Sequence, residues 1–122
     1  MNSKYKCKFP FGKKEKIMIQ PITGTENIDQ VIAKGDVILG FSAPWCGYCR
    51  RLRPMVEKLS EEISQPIYRL NCDVDEEITK RYEVETIPTL IYFHDGQPKD
   101  RIIGYGTVGY PQLKEFIEKN SK

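Results

Sequence analysis

Five consecutive residues, Val37-Ile38-Leu39-Gly40-Phe41, constrain the fold more than any other stretch of this chain. They have the length of a β-strand and carry no polar side chain, so both faces of that strand are apolar. Such a strand belongs at the centre of a sheet covered on both sides. The neighbouring patterns supply the cover. Ile28, Val31 and Ile32 fall at helical spacing before the run, with Thr23-Gly24-Thr25 offering an N-cap and Gly35 a stop. After it, Leu52, Met55, Val56, Leu59 and Ile63 form one stripe of a long helix, with Arg51, Lys58, Glu61 and Glu62 off the stripe. Pro54 lies inside this pattern and is expected to kink the helix, because it removes a backbone donor.

The other elements follow the same logic. Ile17, Ile19 and Ile22 suit a short strand over residues 16–22, and residues 67–71 read as another strand. A short helix is expected over residues 75–82, capped by Asp73 or Asp75. Residues 89–94 are strand, Asp95-Gly96 is a strong turn signal, and residues 101–105 are the returning strand of a hairpin. A last helix starts near Pro111 and buries Leu113, Phe116 and Ile117. The order is β-α-β-α-β-α-β-β-α. Strands alternating with helices imply parallel pairing, and the hairpin adds an antiparallel strand. The expected class is α/β, with a central mixed sheet flanked by helices on both faces.

At 122 residues the chain suits one core. Residues 1–16 form a basic N-terminal extension, with Lys4, Lys6, Lys8, Lys13, Lys14 and Lys16 against only Glu15, and residues 17–122 form the domain. Such an extension could touch nucleic acid or an anionic membrane, but it reads rather as a solvated arm, and neither nucleic acid as a partner nor a membrane span is expected. No stretch approaches the roughly 18 apolar residues of a spanning helix. The basic start is not followed by an apolar signal region, and four unevenly spaced cysteines do not resemble a disulfide framework. A reducing, cytoplasmic setting is expected.

Cys46 and Cys49 carry the chemistry. A pair separated by two residues serves either a metal or a redox cycle. Zinc wants four ligands, usually from two close pairs, whereas Cys7, Cys72 and His94 are scattered singly, so no metal is expected. The pair sits at a strand-to-helix junction, with Cys46 near the N-cap and Cys49 one turn in, so the two sulfurs share a helix face. Unpaired N–H groups and the macrodipole at a helix N-terminus favour a thiolate, the nucleophile in disulfide exchange. Cys49, deeper in the fold, suits the resolving role. The ring such a disulfide closes is very short and constrains the unfolded chain little, which fits a bond made to be exchanged.

Trp45-Cys46-Gly47-Tyr48-Cys49, with Phe41, Ala43 and Pro44 ahead and Pro54 behind, resembles the active-site segment of thioredoxins and disulfide isomerase domains. Ile87-Pro88-Thr89-Leu90 looks like the family's second landmark, whose proline is cis, and Gly104 resembles the glycine of the last strand that lets a substrate backbone approach. The likeness covers about residues 17–119. It implies a thioredoxin fold and a protein-disulfide reductase serving electron transport and cell redox homeostasis, with no cofactor beyond the redox-active Cys46–Cys49 disulfide. It implies that Cys46 attacks and Cys49 resolves, that Trp45 flanks the site, and that the Gly47-Tyr48 dipeptide tunes the potential. The Ile87–Pro88 peptide would leave the Ile87 backbone able to bond an extended substrate strand. Implied partners are protein disulfides and a thioredoxin reductase as electron donor, with the chain a monomer. Two alternatives remain: the same chemistry run as oxidation or isomerisation in an oxidising compartment, or a binding module that catalyses little.

Several positions depart from the family pattern. Gly40 stands where thioredoxins carry a buried aspartate and isomerases a glutamate, so Cys49 must lose its proton by another route. Tyr48 stands where thioredoxins have proline and isomerases histidine. Ile87 is large and should limit access to Cys46. Arg69 stands where thioredoxins carry a lysine that pairs with the buried carboxylate; with Gly40 opposite, Arg69 is expected to point to solvent. Arg50, Arg51 and Arg53 read as a solvated helix face, Cys72 as an inert small hydrophobe, Cys7 as an incidental thiol, and His94 as a surface residue.

Overall fold

A computed structural model describes residues 19–104 and 108–121. Its five strands are β1 (Ile19–Pro21), β2 (Asp36–Ser42), β3 (Ile67–Asn71), β4 (Thr89–His94) and β5 (Gln97–Ile103). The helices are α1 (Thr25–Ile32), α2 (Gly47–Glu62), α3 (Glu76–Arg81) and α4 (Tyr110–Asn120). The sheet order is β1-β3-β2-β4-β5, which places the apolar run of residues 37–41 in the central strand.

Side chains alternate across that strand, and the alternation divides the core. Val37, Leu39 and Phe41 join Ile28 and Ile32 of α1 and Ile78 of α3 on one face. Ile38 joins Leu52, Val56 and Leu59 of α2 and Leu113, Phe116 and Ile117 of α4 on the other. Gly40 shares the face of Ile38, under α2.

β1 and β3 pair in parallel, as do β3 and β2, while β4 runs antiparallel to both β2 and β5. The sheet is mixed, as expected, but the β2–β4 pairing is not the parallel one that alternating strands and helices imply. α3 has 6 residues. At about 1.5 Å per residue it spans only about 9 Å, against about 17 Å for a five-residue strand. The chain therefore re-enters the sheet from the end at which β3 left it, with Thr89 opposite Phe41.

Element ends differ from the sequence expectation where side chains found other partners. Of the first strand, residues 16–18 lie outside those described. α1 is capped at Gly24 (φ 94°), and α2 runs through Pro54 to Glu62. Asp75 is the N-cap residue of α3 but makes no capping bond with its side chain. Its carboxylate instead accepts from Thr23 Oγ1 (3.1 Å) and Gly24 N (2.8 Å), tying the β1–α1 loop to the start of α3. β5 begins at Gln97, not residue 101, because Asp95 (φ 51°) and Gly96 (φ 87°) make a two-residue turn that puts Gln97 directly opposite His94. Pro98 sits at an irregularity in the pairing and on an edge strand, where its missing N–H is tolerated. Tyr105, expected to end that strand, lies outside the described residues. At α4, the Gln112 side chain accepts from Gly109 N at 2.9 Å, closing the first turn.

Candidate active site

The central strand ends at Ser42, and a three-residue link carries the chain to Cys46 at the N-cap of α2. Cys46 keeps an extended backbone (φ −86°, ψ 114°), and its sulfur accepts from Cys49 N at 3.1 Å. A thiol here does what an N-cap oxygen does elsewhere, taking up one of the orphan N–H groups of the helix start. Both cysteines are buried, at 5% and 8% exposure, although Gly47 and Tyr48 between them are exposed. Burial, then the hydrogen-bonded neighbour Cys46, pushes the Cys49 thiol up to about 12, so at neutral pH it holds its proton.

The link 86–88 closes the site from the β4 side. The Ile87–Pro88 peptide is cis. Ile87 O lies 4.0 Å from Cys46 Sγ, and Ile87 packs on the small apolar cluster of Ala43, Cys46 and Cys49. Ile87 is itself only partly buried, so its bulk stands at the edge of the sulfur pair.

Trp45 is 67% exposed beside this pair, yet its indole N–H is fixed, donating to Asp73 Oδ2 at 2.8 Å. The Asp73 backbone is held in turn, its N–H donating to Asn71 Oδ1 at 2.8 Å. Asp73 is the site residue that sequence reasoning missed, having been assigned to a helix cap. The available signal was an acid just past the end of a strand neighbouring the one that leads to Trp45. Arg50 bonds back to Pro44 O at 3.0 Å, bracing the link to Cys46.

Gly104 lies one residue past the end of β5 and is buried. Its N–H donates to Pro88 O at 2.7 Å. A Cβ there would come within 2.6 Å of Leu52 Cδ2 and 3.5 Å of Pro88 Cγ. Any side chain at this position would thus force Leu52 of α2 to move, independently of any substrate.

Other sequence-derived candidates lie apart. Arg69, expected to point to solvent, is half-buried and paired in register with Gly40, and it borders both an open cleft and a cavity that also contacts Cys49. Cys72 is half-buried against the α1 and α3 core, and burial pushes its thiol up. His94 is exposed at the far end of β4, hydrogen-bonded to Asp36 and 3.2 Å from Asp95 Oδ2, and these two acids raise its pKa, Asp36 first. Asp36 begins the strand whose other end leads to Cys46, so His94 is at the opposite pole from the cysteines. Cys7 lies outside the described residues. Among the described residues no group of three or more His, Cys, Asp or Glu could hold a metal ion, and no helix is long and apolar enough to cross a membrane.

Residues 19–119 match the family model described as Thioredoxin. The thioredoxin of Chlamydia pneumoniae is 43% identical over 84 residues, covering 68% of this chain and 82% of that protein. Thioredoxin-2 of Saccharomyces cerevisiae is 33% identical over 106 residues, covering 84% of this chain and 99% of the relative. Among solved structures, a mutant thioredoxin from Halobacterium salinarum superposes with a TM-score of 0.77 at 28% identity, covering 85% of this chain and 91% of that one.

Proposed function

The chain belongs to the thioredoxin family and is a thiol–disulfide oxidoreductase, and from that premise we propose that Cys46 is its attacking thiol and Cys49 its resolving thiol. One observation carries the assignment. The Cys46 sulfur receives the Cys49 N–H at the helix N-terminus, while Cys49 is buried with its thiol pushed up to about 12. A helix-start N–H donates to the first sulfur, the place at which a helix N-terminus favours an anion.

Thiolate Cys46 attacks a substrate disulfide, one substrate sulfur leaves as thiolate, and a mixed disulfide forms. Cys49 loses its proton and attacks Cys46 Sγ, releasing the second substrate thiol and closing the Cys46–Cys49 disulfide. Two electrons pass to the substrate. Trp45, held by Asp73, and the Ile87 backbone beside Pro88 flank the place where an extended substrate segment would lie. Gly47 and Tyr48 form the exposed turn between the sulfurs, and Gly104 supports the Pro88 segment from behind.

The physiological direction in this reading is reduction of protein disulfides by a monomeric chain in the cytoplasm, with a thioredoxin reductase returning the electrons. Family membership supports it. A reduction potential near the thioredoxin value of about −270 mV is expected; one near about −120 mV would reverse the direction. The site assignment is tested by two variants. Cys46→Ser should abolish disulfide reduction, and Cys49→Ser should accumulate stable mixed disulfides. Full turnover by Cys46→Ser would refute it.

A further inference from the structure

Beneath the cysteine pair, between β2 and α2, lies a cavity of about 50 Å³. Gly40, Cys49, Leu52 and Leu90 border it together with further, mostly apolar, residues of the sheet and α2, and so do Arg53 and Arg69. Beyond them a larger cleft of about 630 Å³ opens toward solvent, and Ser42, Arg53 and Arg69 line both spaces. The two arginines therefore stand at the neck between solvent and the resolving thiol.

Among the described residues no ion pair engages Arg53 or Arg69, although Arg69 is half-buried. A partly desolvated guanidinium favours an anionic partner with planar oxygens. Among the described residues no Asp, Glu or His borders the cavity. Cys49 must nevertheless give up a proton before it can attack. At about 10–15 Å³ per water-sized site, a cavity of this volume holds about three to five non-hydrogen atoms. That is the size of the smallest carboxylates.

We propose that this cavity is a binding site for a small carboxylate-type oxyanion, drawn in past Arg53 and Arg69, which accepts the Cys49 proton during resolution of the mixed disulfide. The proposal rests on Cys49 being the resolving thiol. The bound anion takes the proton from Cys49 and becomes the neutral acid. The Cys49 thiolate attacks Cys46 Sγ, the Cys46–Cys49 bond forms, and the Cys46–substrate bond breaks with its electron pair on the departing sulfur. The neutral acid then leaves and returns its proton to solvent. Gly40 is what gives the anion room: an ideal Cβ there would already stand 3.1 Å from Leu90 Cδ2, and a longer side chain would reach into the cavity.

The test uses the reduced full-length protein, a chromogenic aromatic disulfide and sodium formate as the probe. Attack by Cys46 releases one coloured thiol and resolution by Cys49 releases a second, so the two steps are separate phases in stopped flow. At constant ionic strength formate should accelerate the second phase saturably, on the order of a hundredfold, the low end of what a positioned general base contributes. The first phase should not respond. Sodium chloride, a weakly basic anion, should give no acceleration and should compete with formate. Arg69→Met should lose the formate response in the second phase while keeping the first, and Gly40→Asp should show a fast second phase without formate. A second phase that ignores formate, or responds to chloride as much as to formate, overturns the proposal. Loss of the second phase in Cys49→Ser is required by the underlying reading; its persistence would refute that reading instead.

Discussion

Replacing Gly104 by alanine adds one methyl group at a place where the structure leaves no room for it. The new Cβ would stand 2.6 Å from Leu52 Cδ2, well inside ordinary carbon–carbon contact of about 3.5–4.0 Å. Leu52 is 3% exposed and packed among Val56, Leu90 and Leu113, so it must yield either by turning toward the adjoining cavity or by shifting the first turns of α2. Overpacking of that kind costs typically about 1–3 kcal/mol. Leu52→Ala, a cavity-forming change, should cost about 2–5 kcal/mol by itself. In the double variant the deleted leucine methyls make the space the alanine needs, so its cost should fall short of the sum by about 1–3 kcal/mol. Urea unfolding of the four proteins, with m-values compared, measures the coupling. If Gly104→Ala alone costs less than about 0.5 kcal/mol, or if the two changes simply add, the contact with Leu52 does not explain the glycine.

Three further outcomes follow from the same geometry. Because the folded state raises the Cys49 pKa from about 9 to about 12, the neutral thiol stabilises the reduced protein fully below about pH 8 and the contribution is lost as pH rises toward 12. Tyr92 is raised into the same range, so the check is the difference in denaturant midpoint between reduced wild type and Cys49→Ala, which should change through this window only if Cys49 titrates there. Asp73→Ala removes the acceptor of the only tryptophan, so Trp45 fluorescence should shift while the midpoint moves by no more than about 1 kcal/mol, the bond being exposed; an unchanged spectrum would contradict the Trp45–Asp73 tie. Tyr92→Phe removes the hydroxyl that donates to Asp36 at 2.6 Å and accepts from Gln65 at 3.0 Å, at a cost of about 1.5–3 kcal/mol near neutral pH. Tyr92, then His94, lowers the Asp36 pKa, so that stabilisation is present above about pH 4 and lost as pH falls further, and the gap between variant and wild type should narrow there.

The parts of the fold that were legible in the sequence are those set by periodicity. The run 37–41 identified the central strand, and the stripe through Leu52, Val56 and Leu59 identified the face of α2 that covers it. What the sequence hid depends on pairings between distant residues. Nothing local marks Asp75 as the anchor of the Thr23–Gly24 loop rather than a helix cap, since both uses need the same short acidic side chain. The start of β5 was obscured because Gln97, Pro98 and Lys99 are poor strand formers, and only the two-residue turn and the edge position make them pair. At the site, the Cys46–Cys49 spacing was sufficient to place both sulfurs at the helix start. That Arg69, Gly40 and Cys49 border one cavity, and that Gly104 meets Leu52, are facts of packing between α2 and the sheet.

The most direct test of the assigned chemistry is a rapid-quench experiment on the reduced protein with a limiting protein disulfide, with acid trapping, alkylation and peptide mass mapping at successive times. The mixed disulfide should appear first on Cys46, then decline as an equal amount of Cys46–Cys49 disulfide forms, with Cys72 remaining a thiol throughout. A first adduct on Cys49 or Cys72, or a final disulfide that includes Cys72, would contradict the roles given to the two active-site thiols.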